Sequence, residues 1–274
     1  MEIFESTPSL RERLKGAREI AFVPTMGNLH EGHLELMRIA KRHAKCVVAS
    51  IFVNRLQFGA GEDFDRYPRT FQADCRMLET AGVDVLFAPN ESELYPVPQE
   101  VAVSLPGVAR ELCGAHRPGH FEGMATVVLK LFNIVRPNCA VFGKKDYQQL
   151  FLVSKMVSQF NLPLSVLAGE TVREADGLAM SSRNRYLTGT ERNEAKRLYF
   201  NLDRTKHALI GGSRDYRSLE LAASQDLEGR GWRVDYFEIR DALNLARPGP
   251  ETTQLVVLAA ARLGATRLID NVEI

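Results

Sequence analysis

Two histidines at the start of a predicted helix are the residues of this sequence best suited to chemistry. They are His30 and His33, in the segment PTMGNLHEGH at residues 24–33. Because they are three apart, they can share one side of a helical first turn. An imidazole beside the positive end of a helix tends to stay neutral or to donate to an anion. Gly27 and Gly32 remove side chains where a phosphate would approach the backbone closely.

Three less specific explanations of these histidines stand beside phosphate binding. The pair could ligate a metal, although HEGH lacks the i,i+4 spacing of the HExxH zinc motif. It could lie on a solvated surface, or it could cap and pack a helix start without any ligand. The motif alone does not choose among these.

Two further polar segments follow predicted strands. IFVNRLQFG, residues 51–59, carries Asn54 and Gln57, whose neutral amides can bind a hydroxyl or a carboxylate. FGKKDYQQ, residues 142–149, carries a lysine pair that could offset phosphate charge during phosphoryl or nucleotidyl transfer. The alternatives are an ordinary polar loop and a solvated helix start.

A third polar segment, MSSRN at residues 180–184, offers two hydroxyls and Arg183. Such a loop could close over a triphosphate, although by itself it predicts only a turn.

Strands and helices alternate through the first part of the chain, which predicts a doubly wound, mainly parallel α/β sheet. Apolar runs predict strands at Ile20–Pro24, Cys46–Val53, Val83–Ala88, Ala140–Phe142 and Leu164–Ala168. Helical spacing predicts helices over Gly32–Ala44, from Pro68 to Gly82, over Phe121–Val135 and over Asp146–Phe160.

The composition changes near residue 176, which predicts a domain boundary there. A polar segment is followed by predicted helices over Glu191–Ile210 and Tyr216–Glu228, and by strands at Trp232–Ile239, Gln254–Ala261 and Leu268–Val272. We therefore expect a ligand-binding domain over residues 1–176 and a smaller α/β, lid-like domain over residues 177–274.

Length and charge limit the classes of protein. The 274 residues suit one large or two modest domains, and 35 basic against 34 acidic residues leave a net charge of +1. This balance gives no general attraction to nucleic acid or to an anionic membrane. Four cysteines without a CxxC pair are typical of a reducing cytosol. With no apolar run near ~20 residues and no hydrophobic signal core, a cytoplasmic protein is expected.

The motifs together resemble a known family. His30–His33 is similar to the HxGH signature of the nucleotidyltransferase superfamily that includes class I aminoacyl-tRNA synthetases, and MSSRN lies where that superfamily has its second phosphate loop. In order, PTMGNLHEGH, IFVNRLQF, EDFDRYPRT, RPGHFEGMATVVLKLFNIVRP, FGKKDYQQL and READGLAMSSRN resemble the pantothenate synthetase family, over about residues 20 to 190. The fold implied is Rossmann-like.

The resemblance implies a two-step ligation. Pantoate would attack the α-phosphate of ATP to give pantoyl adenylate and pyrophosphate, and β-alanine would then displace AMP. His33 is implied as proton donor, with His30 beside it on the phosphates and Lys145 as the charge on the transferring phosphate. Gln57, Gln149 and Asn54 are implied at the acyl substrate. The implied ATP contacts are Met26, Gly27, Asn28, Leu29, His30, Glu31, Gly32, His33, Gly143, Lys144, Lys145, Asp146, Val172, Met180, Ser181, Ser182 and Arg183.

The resemblance also implies Mg²⁺ delivered with ATP, by unknown protein ligands, and a homodimer formed through the N-terminal domain. Two positions depart from the family pattern: Lys144 replaces the acidic residue of FGEKD, and Arg55 replaces the proline of NPxQF. Because Lys145, Asn54 and Gln57 are retained, activity is expected to survive. Two other hypotheses stay open: another HxGH nucleotidyltransferase acting on a small molecule, and a non-enzymatic nucleotide-binding or interaction protein.

Overall fold

The computed structural model describes all 274 residues, which form two compact units. The first comprises Met1–Lys144 and Gln148–Glu170, and the second comprises Lys145–Tyr147 and Thr171–Ile274. The short segment 145–147 therefore packs with the second unit although its neighbours in sequence pack with the first. The functional division expected at residue 176 stays a prediction.

The first unit is built on a six-stranded parallel sheet in the order β1-β4-β3-β2-β5-β6. The apolar runs form its centre, where Ala21, Phe22 and Val23 of β2 are fully buried. The strands are β1 (Glu2–Phe4), β2 (Ile20–Thr25), β3 (Cys46–Ile51), β4 (Val85–Phe87), β5 (Cys139–Gly143) and β6 (Ser165–Gly169).

Helices connect these strands. The helix Glu31–His43 (α2) follows from its sequence pattern, because Leu34, Met37 and Ala40 recur at helical spacing and are buried. The helices are α1 (Thr7–Leu14), α2 (Glu31–His43), α3 (Phe71–Thr80), α4 (Glu91–Leu94), α5 (Cys113–His116), α6 (His120–Val135) and α7 (Tyr147–Gln159). Short 3-10 turns lie at Arg55–Gln57, Gly107–Arg110 and Lys144–Asp146.

The strand order reverses between β2 and β5. The chain proceeds outward from β2 to β3 and β4, and then returns to place β5 on the other side of β2. Ala21 pairs with Cys139 and Phe22 with Ala140, so Thr25 and Gly143 end their strands at the same level. Ligands of doubly wound sheets bind beyond the carboxyl ends of strands at such a reversal. The histidine segment after β2 and Lys144 after β5 both follow strands that end at this point.

The second unit contains a three-stranded antiparallel sheet in the order β7-β8-β9. Its strands are β7 (Arg233–Asp241), β8 (Leu255–Leu263) and β9 (Thr266–Glu273), and its helices are α8 (Gly189–Ala195), α9 (Arg197–Ile210) and α10 (Tyr216–Glu228). A further 3-10 turn spans Ser182–Tyr186. Leu198, Leu202 and Leu227 of the helices share a core with residues of β8. The expected fold class, a doubly wound parallel α/β sheet with a smaller second unit, is confirmed.

Several element boundaries differ from the sequence-based expectations. α3 begins at Phe71 rather than near Pro68, because the Thr70 carbonyl accepts the first helical hydrogen bond from Asp74 N–H. The single helix expected over Glu191–Ile210 is two helices that meet at Lys196. The sequence patterns do not predict β1, α1 or the short helices α4 and α5.

No helix of the structure combines the length and the apolar character needed to cross a membrane. All four cysteines are thiols and form no disulfide bond. Burial raises the pKa of the Cys46 and Cys139 thiols, so both stay protonated at neutral pH.

Asp226 joins α10 to α9 and provides a stability prediction with a pH dependence. Hydrogen bonds from Arg197 first, and from Asn201, hold the pKa of Asp226 well below its usual range. A lowered carboxyl pKa stabilises the fold above the unfolded pKa of about 3.9, and this contribution is lost as the pH falls toward the folded pKa. Asp226→Asn is expected to lower the free energy of unfolding by about 1–2 kcal/mol at pH 7 in urea titrations.

The difference between Asp226→Asn and the unsubstituted protein should shrink in titrations below about pH 3. Asp203→Asn, at a half-exposed position of α9, is the control and should change little. A difference that is the same at every pH would show that the ionisation of Asp226 does not contribute.

Candidate active site

A buried carboxylate from α3 holds the loop that follows β2. Both Asp74 oxygens accept main-chain hydrogen bonds, from Asn28 N–H and Leu29 N–H, each at 2.9 Å. The Thr70 hydroxyl donates to the same carboxylate at 3.1 Å. Asp74 is 2% exposed, so these charge-assisted hydrogen bonds lie away from solvent. The loop is therefore held in place by a side chain from a different element.

The turn itself requires left-handed backbone at two successive residues, Gly27 with φ of 78° and Asn28 with φ of 51°. Glycine and asparagine are the residue types that tolerate this region best. A Cβ at Gly27 would lie 3.1 Å from Asp74 Oδ2 and 3.1 Å from Ile51 Cγ2. Glycine at residue 27 thus allows both the turn and the close approach of Asp74.

Both histidines of the motif cap α2. His30 is the N-cap residue, and its Nδ1 accepts from Gly32 N–H at 3.2 Å. His33 Nδ1 accepts in return from His30 N–H at 3.3 Å. The result is a reciprocal capping box made by two imidazoles, whose ring centroids are 4.1 Å apart. The expectation that both share one side of the first turn is confirmed.

These hydrogen bonds determine the tautomers. Because both Nδ1 atoms accept from main-chain N–H groups, neither carries a proton, and each neutral ring carries its proton on Nε2. Both rings are therefore donors at Nε2, at the positive end of a 13-residue helix. Capping and anion binding are compatible in this arrangement, because they use different ring nitrogens.

Asp74 supports a prediction about this loop. Asp74→Asn replaces one carboxylate oxygen with an NH₂ group that would face a main-chain N–H donor. We expect the free energy of unfolding to fall by roughly 1.5–3 kcal/mol, since one buried hydrogen bond to a charged group is lost. Urea titrations measure this. Thr70→Val is the matched control, because it keeps the carboxylate and should cost less; an equal loss in both variants would contradict the assignment to Asp74.

Asn54 and Gln57, expected at the acyl substrate, form one hydrogen-bonded pair after β3. Asn54 Nδ2 lies 3.1 Å from the Gly123 carbonyl oxygen, which can only accept. The same Nδ2 donates to Gln57 Oε1 at 3.2 Å, which places the NH₂ group of Gln57 against Met26 Sδ at 3.0 Å. A main-chain carbonyl thus orients both amides, and Gln57 is a donor on the Met26 side.

Tyr95 completes this orientation by donating its hydroxyl proton to Asn54 Oδ1 at 2.8 Å. Burial, with a smaller contribution from Glu91, raises the pKa of Tyr95 above its usual value, so the hydroxyl remains a donor throughout the neutral range. The direction of donation runs from Tyr95 through Asn54 to Gln57.

Lys144 and Gln149 belong to the segment after β5. The Lys144 ammonium forms an ion pair with Glu170 Oε1 at 2.6 Å, so the lysine that departs from the family pattern has its charge offset. Gln148 has a structural role. Its Oε1 accepts from Cys113 N–H, and its Nε2 donates to the carbonyls of Val108 and Glu111. Gln149, the next residue, is half-buried.

Lys145 and Asp146 pack with the second unit. Asn271 Nδ2 of β9 donates to the Lys145 carbonyl at 3.0 Å. Two residues on, burial and the nearby Glu273 raise the pKa of Tyr147. The Lys145 ammonium lies 3.8 Å from Asp146 Oδ2, and its side chain is 19% exposed. The C-terminal strand thus fixes the main chain that carries Lys145.

The remaining expected ATP contacts lie in one stretch of the second unit. Met180 N–H donates to the Val172 carbonyl at 3.0 Å, and Ser181 caps the 3-10 turn by accepting from Arg183 N–H at 3.2 Å. Ser182 is the first residue of that turn. Arg173 beside this stretch binds buried Asp270 through two hydrogen bonds of 2.6 and 3.0 Å. The stretch from Met180 to Arg183 thus enters a capped 3-10 turn rather than forming an extended loop.

Several residues that hold candidate site residues in place carry no assignment from the sequence. They are Asp74 beneath the loop, Tyr95 behind Asn54, and Asn271 behind Lys145. A signal exists for Asp74, because it falls on the same helical face as Phe71, Cys75 and Leu78 and so places a carboxylate on a side predicted to be apolar. No local signal marks Asn271, which lies 126 residues from its partner.

The structure contains no group of three or more His, Cys, Asp and Glu side chains arranged to hold a metal ion. The chain therefore does not offer Mg²⁺ a cage of its own side chains. A Mg²⁺ held by substrate phosphates and water would fit this donor set, since that ion usually needs few protein carboxylates.

The fold and the helix capped by histidines at the strand-order reversal define an α/β nucleotide-binding enzyme with an HxGH motif. A family model described as Pantoate-beta-alanine ligase matches residues 2–273, and the chain belongs to that family. The resemblance inferred from the motifs is confirmed over almost the whole chain.

Similarities to individual proteins support membership of this family. The chain is 59% identical to a pantothenate synthetase of Thiobacillus denitrificans, over all of this chain and 97% of the relative. It is 58% identical to that of Chromobacterium violaceum, over all of this chain and 99% of the relative. A solved pantothenate synthetase from Thermus thermophilus has a TM-score of 0.95 at 42% identity, covering 99% of both chains.

A second solved structure carries ligands. It is the pantoate-beta-alanine ligase of Francisella tularensis, complexed with beta-gamma ATP and beta-alanine. Its TM-score is 0.85 at 33% identity, covering 99% of this chain and 97% of that one.

Proposed function

We propose that this chain condenses (R)-pantoate with β-alanine, using ATP, to give pantothenate, AMP and pyrophosphate through a pantoyl adenylate. It is thus an AMP-forming ligase of pantothenate biosynthesis. Membership of the pantoate-beta-alanine ligase family supports this, as does the related ligase that is complexed with beta-gamma ATP and beta-alanine. The observation that carries the proposal is the pair of imidazoles at the start of α2, whose Nδ1 atoms both accept main-chain hydrogen bonds and so leave Nε2 as the donor.

In the first step a pantoate carboxylate oxygen attacks the α-phosphorus, and the bond from that phosphorus to the leaving pyrophosphate breaks. The protein needs no covalent nucleophile, only positioning and stabilisation of charge. We assign the Nε2–H groups of His30 and His33 to phosphate oxygens, with His33 as the proton donor. Lys145 supplies positive charge to the transferring phosphate.

In the second step the unprotonated amine of β-alanine attacks the acyl carbon of the adenylate. The carbon–oxygen bond to AMP breaks, AMP leaves with the oxygen that pantoate supplied, and the nitrogen releases its extra proton to solvent. Gln57 and Gln149 hold the acyl substrate. Because Asn54 fixes the Gln57 amide as a donor on the Met26 side, Gln57 binds an acceptor oxygen there rather than accepting from a hydroxyl of the substrate.

The other ATP contacts are proposed on the family resemblance: the 26–33 segment, 143–146, Val172 and 180–183. Mg²⁺ accompanies ATP and neutralises phosphate charge, held by phosphate oxygens and water. We also propose a homodimer through the N-terminal unit and a cytoplasmic location, in keeping with four cysteines that form no disulfide bond. Light scattering of the purified protein tests the dimer.

The function is tested by incubating folded protein with pantoate, β-alanine, ATP and Mg²⁺ and measuring AMP and pantothenate. AMP should form only when pantoate is present, and pantothenate only when β-alanine is added as well. Folded protein that forms no AMP under these conditions would overturn the proposal. Pyrophosphate release without pantoate would instead indicate another nucleotidyltransferase, and ATP binding without turnover a non-enzymatic role.

A further inference from the structure

The main chain of Gln57 is held by the segment that begins α6. The Gln57 carbonyl accepts a hydrogen bond of 2.7 Å from His120 Nδ1. Gln57 and His120 are each 8% exposed, so this contact is largely shielded from water. The side chain of Gln57 is oriented by Asn54, and its main chain is fixed independently by His120.

The two neighbours of His120 determine its protonation. A carbonyl can only accept, so Nδ1 carries the proton. Arg117 can only donate, and its Nη1 lies 2.9 Å from His120 Nε2, so Nε2 accepts. The ring is therefore neutral, and it is held from both sides in one orientation. A second proton, on Nε2, would point at the guanidinium.

Arg117 is held in turn by Glu62, five residues beyond Gln57. Its Nε donates to Glu62 Oε1 at 2.6 Å and its Nη2 to Oε2 at 2.7 Å, in a bidentate ion pair. Burial alone would raise the pKa of Glu62, but the hydrogen bonds and charge of Arg117 outweigh it and the pKa is lowered. Glu62 is thus charged at neutral pH.

The first turn of α6 also meets the Gln57 segment directly. A Cβ at Gly123 would lie 2.0 Å from the Leu56 carbonyl oxygen and 2.8 Å from Gln57 N, so only glycine permits this approach. The Gly123 carbonyl accepts from Asn54 Nδ2. Residues 54–62 are therefore hydrogen-bonded to residues 117–123 at three points: the Asn54 amide, the Gln57 carbonyl and the Glu62 carboxylate.

We propose that His120 and Arg117, with Glu62, form a positioning clamp that sets where Gln57 meets the carboxylate substrate. None of the three contacts the substrate; they act through the main chain of Gln57. The inference rests on the proposed function, because it takes Gln57 as a substrate-binding residue. A rigid main chain matters there, since misplacement of a binding group by ~1 Å can lower a rate by ~100-fold.

The first test compares His120→Leu with His120→Asn. Leucine removes the hydrogen bond to Gln57, whereas the asparagine NH₂ can occupy the place of Nδ1 and still donate. His120→Leu should raise KM for pantoate at least ~10-fold, leave KM for ATP within about twofold, and keep the circular dichroism spectrum. His120→Asn should recover most of the loss. Equal KM for pantoate in both variants would overturn the role of this hydrogen bond.

Arg117→Met provides a second approach if His120→Leu does not fold. It frees both the His120 ring and the Glu62 carboxylate while keeping a long, unbranched side chain. KM for pantoate should again rise severalfold or more with KM for ATP within about twofold. An equal rise in both KM values would indicate a general structural effect and overturn the clamp.

A double-mutant cycle with Gln57→Ala separates the clamp from the function on which it rests. Gln57→Ala alone should raise KM for pantoate, and adding His120→Leu should then change it less than about twofold, because the group being positioned is gone. If the full effect of His120→Leu persists, the clamp does not act through Gln57 and the inference is overturned. If Gln57→Ala alone leaves KM for pantoate unchanged, the role proposed for Gln57 is wrong, and the clamp with it.

Discussion

Replacing His33 with alanine is expected to slow formation of the pantoyl adenylate at least ~100-fold. The imidazole carries its proton on Nε2 because Nδ1 accepts from His30 N–H. His33→Ala removes that donor from the positive end of α2, where the proposed reaction places the negative charge of the leaving pyrophosphate. Loss of one transition-state donor or proton-transfer group commonly costs a factor of this size. Single-turnover quench experiments at saturating ATP and pantoate measure the rate.

Two further substitutions identify which nitrogen of His33 matters. His33→Asn keeps an acceptor near the position of Nδ1 and so can keep the cap, whereas His33→Gln can place an N–H near the position of Nε2. If Nε2 acts on the phosphates, His33→Gln should be faster than His33→Asn. The opposite order would mean that the cap is the function of His33.

His43 is the matched control for His33. It lies in the last turn of the same helix, exposed, with its Nδ1 bound to the Ile39 carbonyl at 2.9 Å. His43→Ala removes the same kind of side chain from the opposite end of α2 and should leave the adenylation rate unchanged. Adenylation in His33→Ala at close to the rate of His43→Ala would remove His33 from the catalytic residues.

Local patterns are sufficient to predict several helices, including the one at which the candidate site begins. The helical spacing of Leu34, Met37 and Ala40 predicts α2, and the glycine and histidine pattern before it predicts a ligand-binding helix start. The bounds predicted for α10, Tyr216–Glu228, are those that it has, because Gly211 and Gly212 end the helix before it and Gly229 follows it. These features depend on residues within a few positions of one another.

The supporting contacts cannot be predicted in this way, because they join residues that are distant in sequence. Asp74 meets Asn28 N–H across 46 residues, and His120 meets the Gln57 carbonyl across 63. Such contacts depend on the order of strands in the sheet and on the packing of α3 and α6 against the loops, which no local periodicity encodes. A polar residue on an otherwise apolar helical face, such as Asp74, is the trace that such a contact leaves in the sequence.

At both departures from the family pattern, the basic side chain forms an ion pair with a glutamate. Arg55, where the family has proline, lies 3.3 Å from Glu91 Oε1 and stacks on the Phe64 ring at 4.0 Å from its centroid. Lys144 pairs with Glu170. Each added positive charge lies beside a carboxylate, so the net effect of Lys144 on a phosphate bound nearby would be smaller than its formal charge suggests.

Lys145 is the second residue at which a large loss is expected, and it contrasts with Lys144. Lys145→Ala removes the ammonium but leaves the main-chain hydrogen bond between the Lys145 carbonyl and Asn271 Nδ2. The segment therefore keeps its position, and the change isolates the charge. We expect single-turnover adenylation to fall at least ~100-fold, because a positioned cation on the transferring phosphate stabilises the transition state by several kcal/mol.

Two lysine variants calibrate this loss. Lys144→Ala should cost at most about tenfold, because Glu170 already offsets its charge. Lys155→Ala removes a lysine of α7 whose ammonium lies over the Phe151 ring at 5.1 Å, and should cost nothing measurable.

Asn271→Ala reveals how much of the function of Lys145 depends on where β9 holds it. The ammonium is retained in this variant and only the hydrogen bond to the main chain is lost. An intermediate rate, between the unsubstituted protein and Lys145→Ala, is expected if placement of the charge matters. In the Lys145→Ala background the same substitution should then have little further effect, since no charge remains to be placed. Adenylation in Lys145→Ala within about threefold of Lys155→Ala would show that the phosphate charge is stabilised elsewhere.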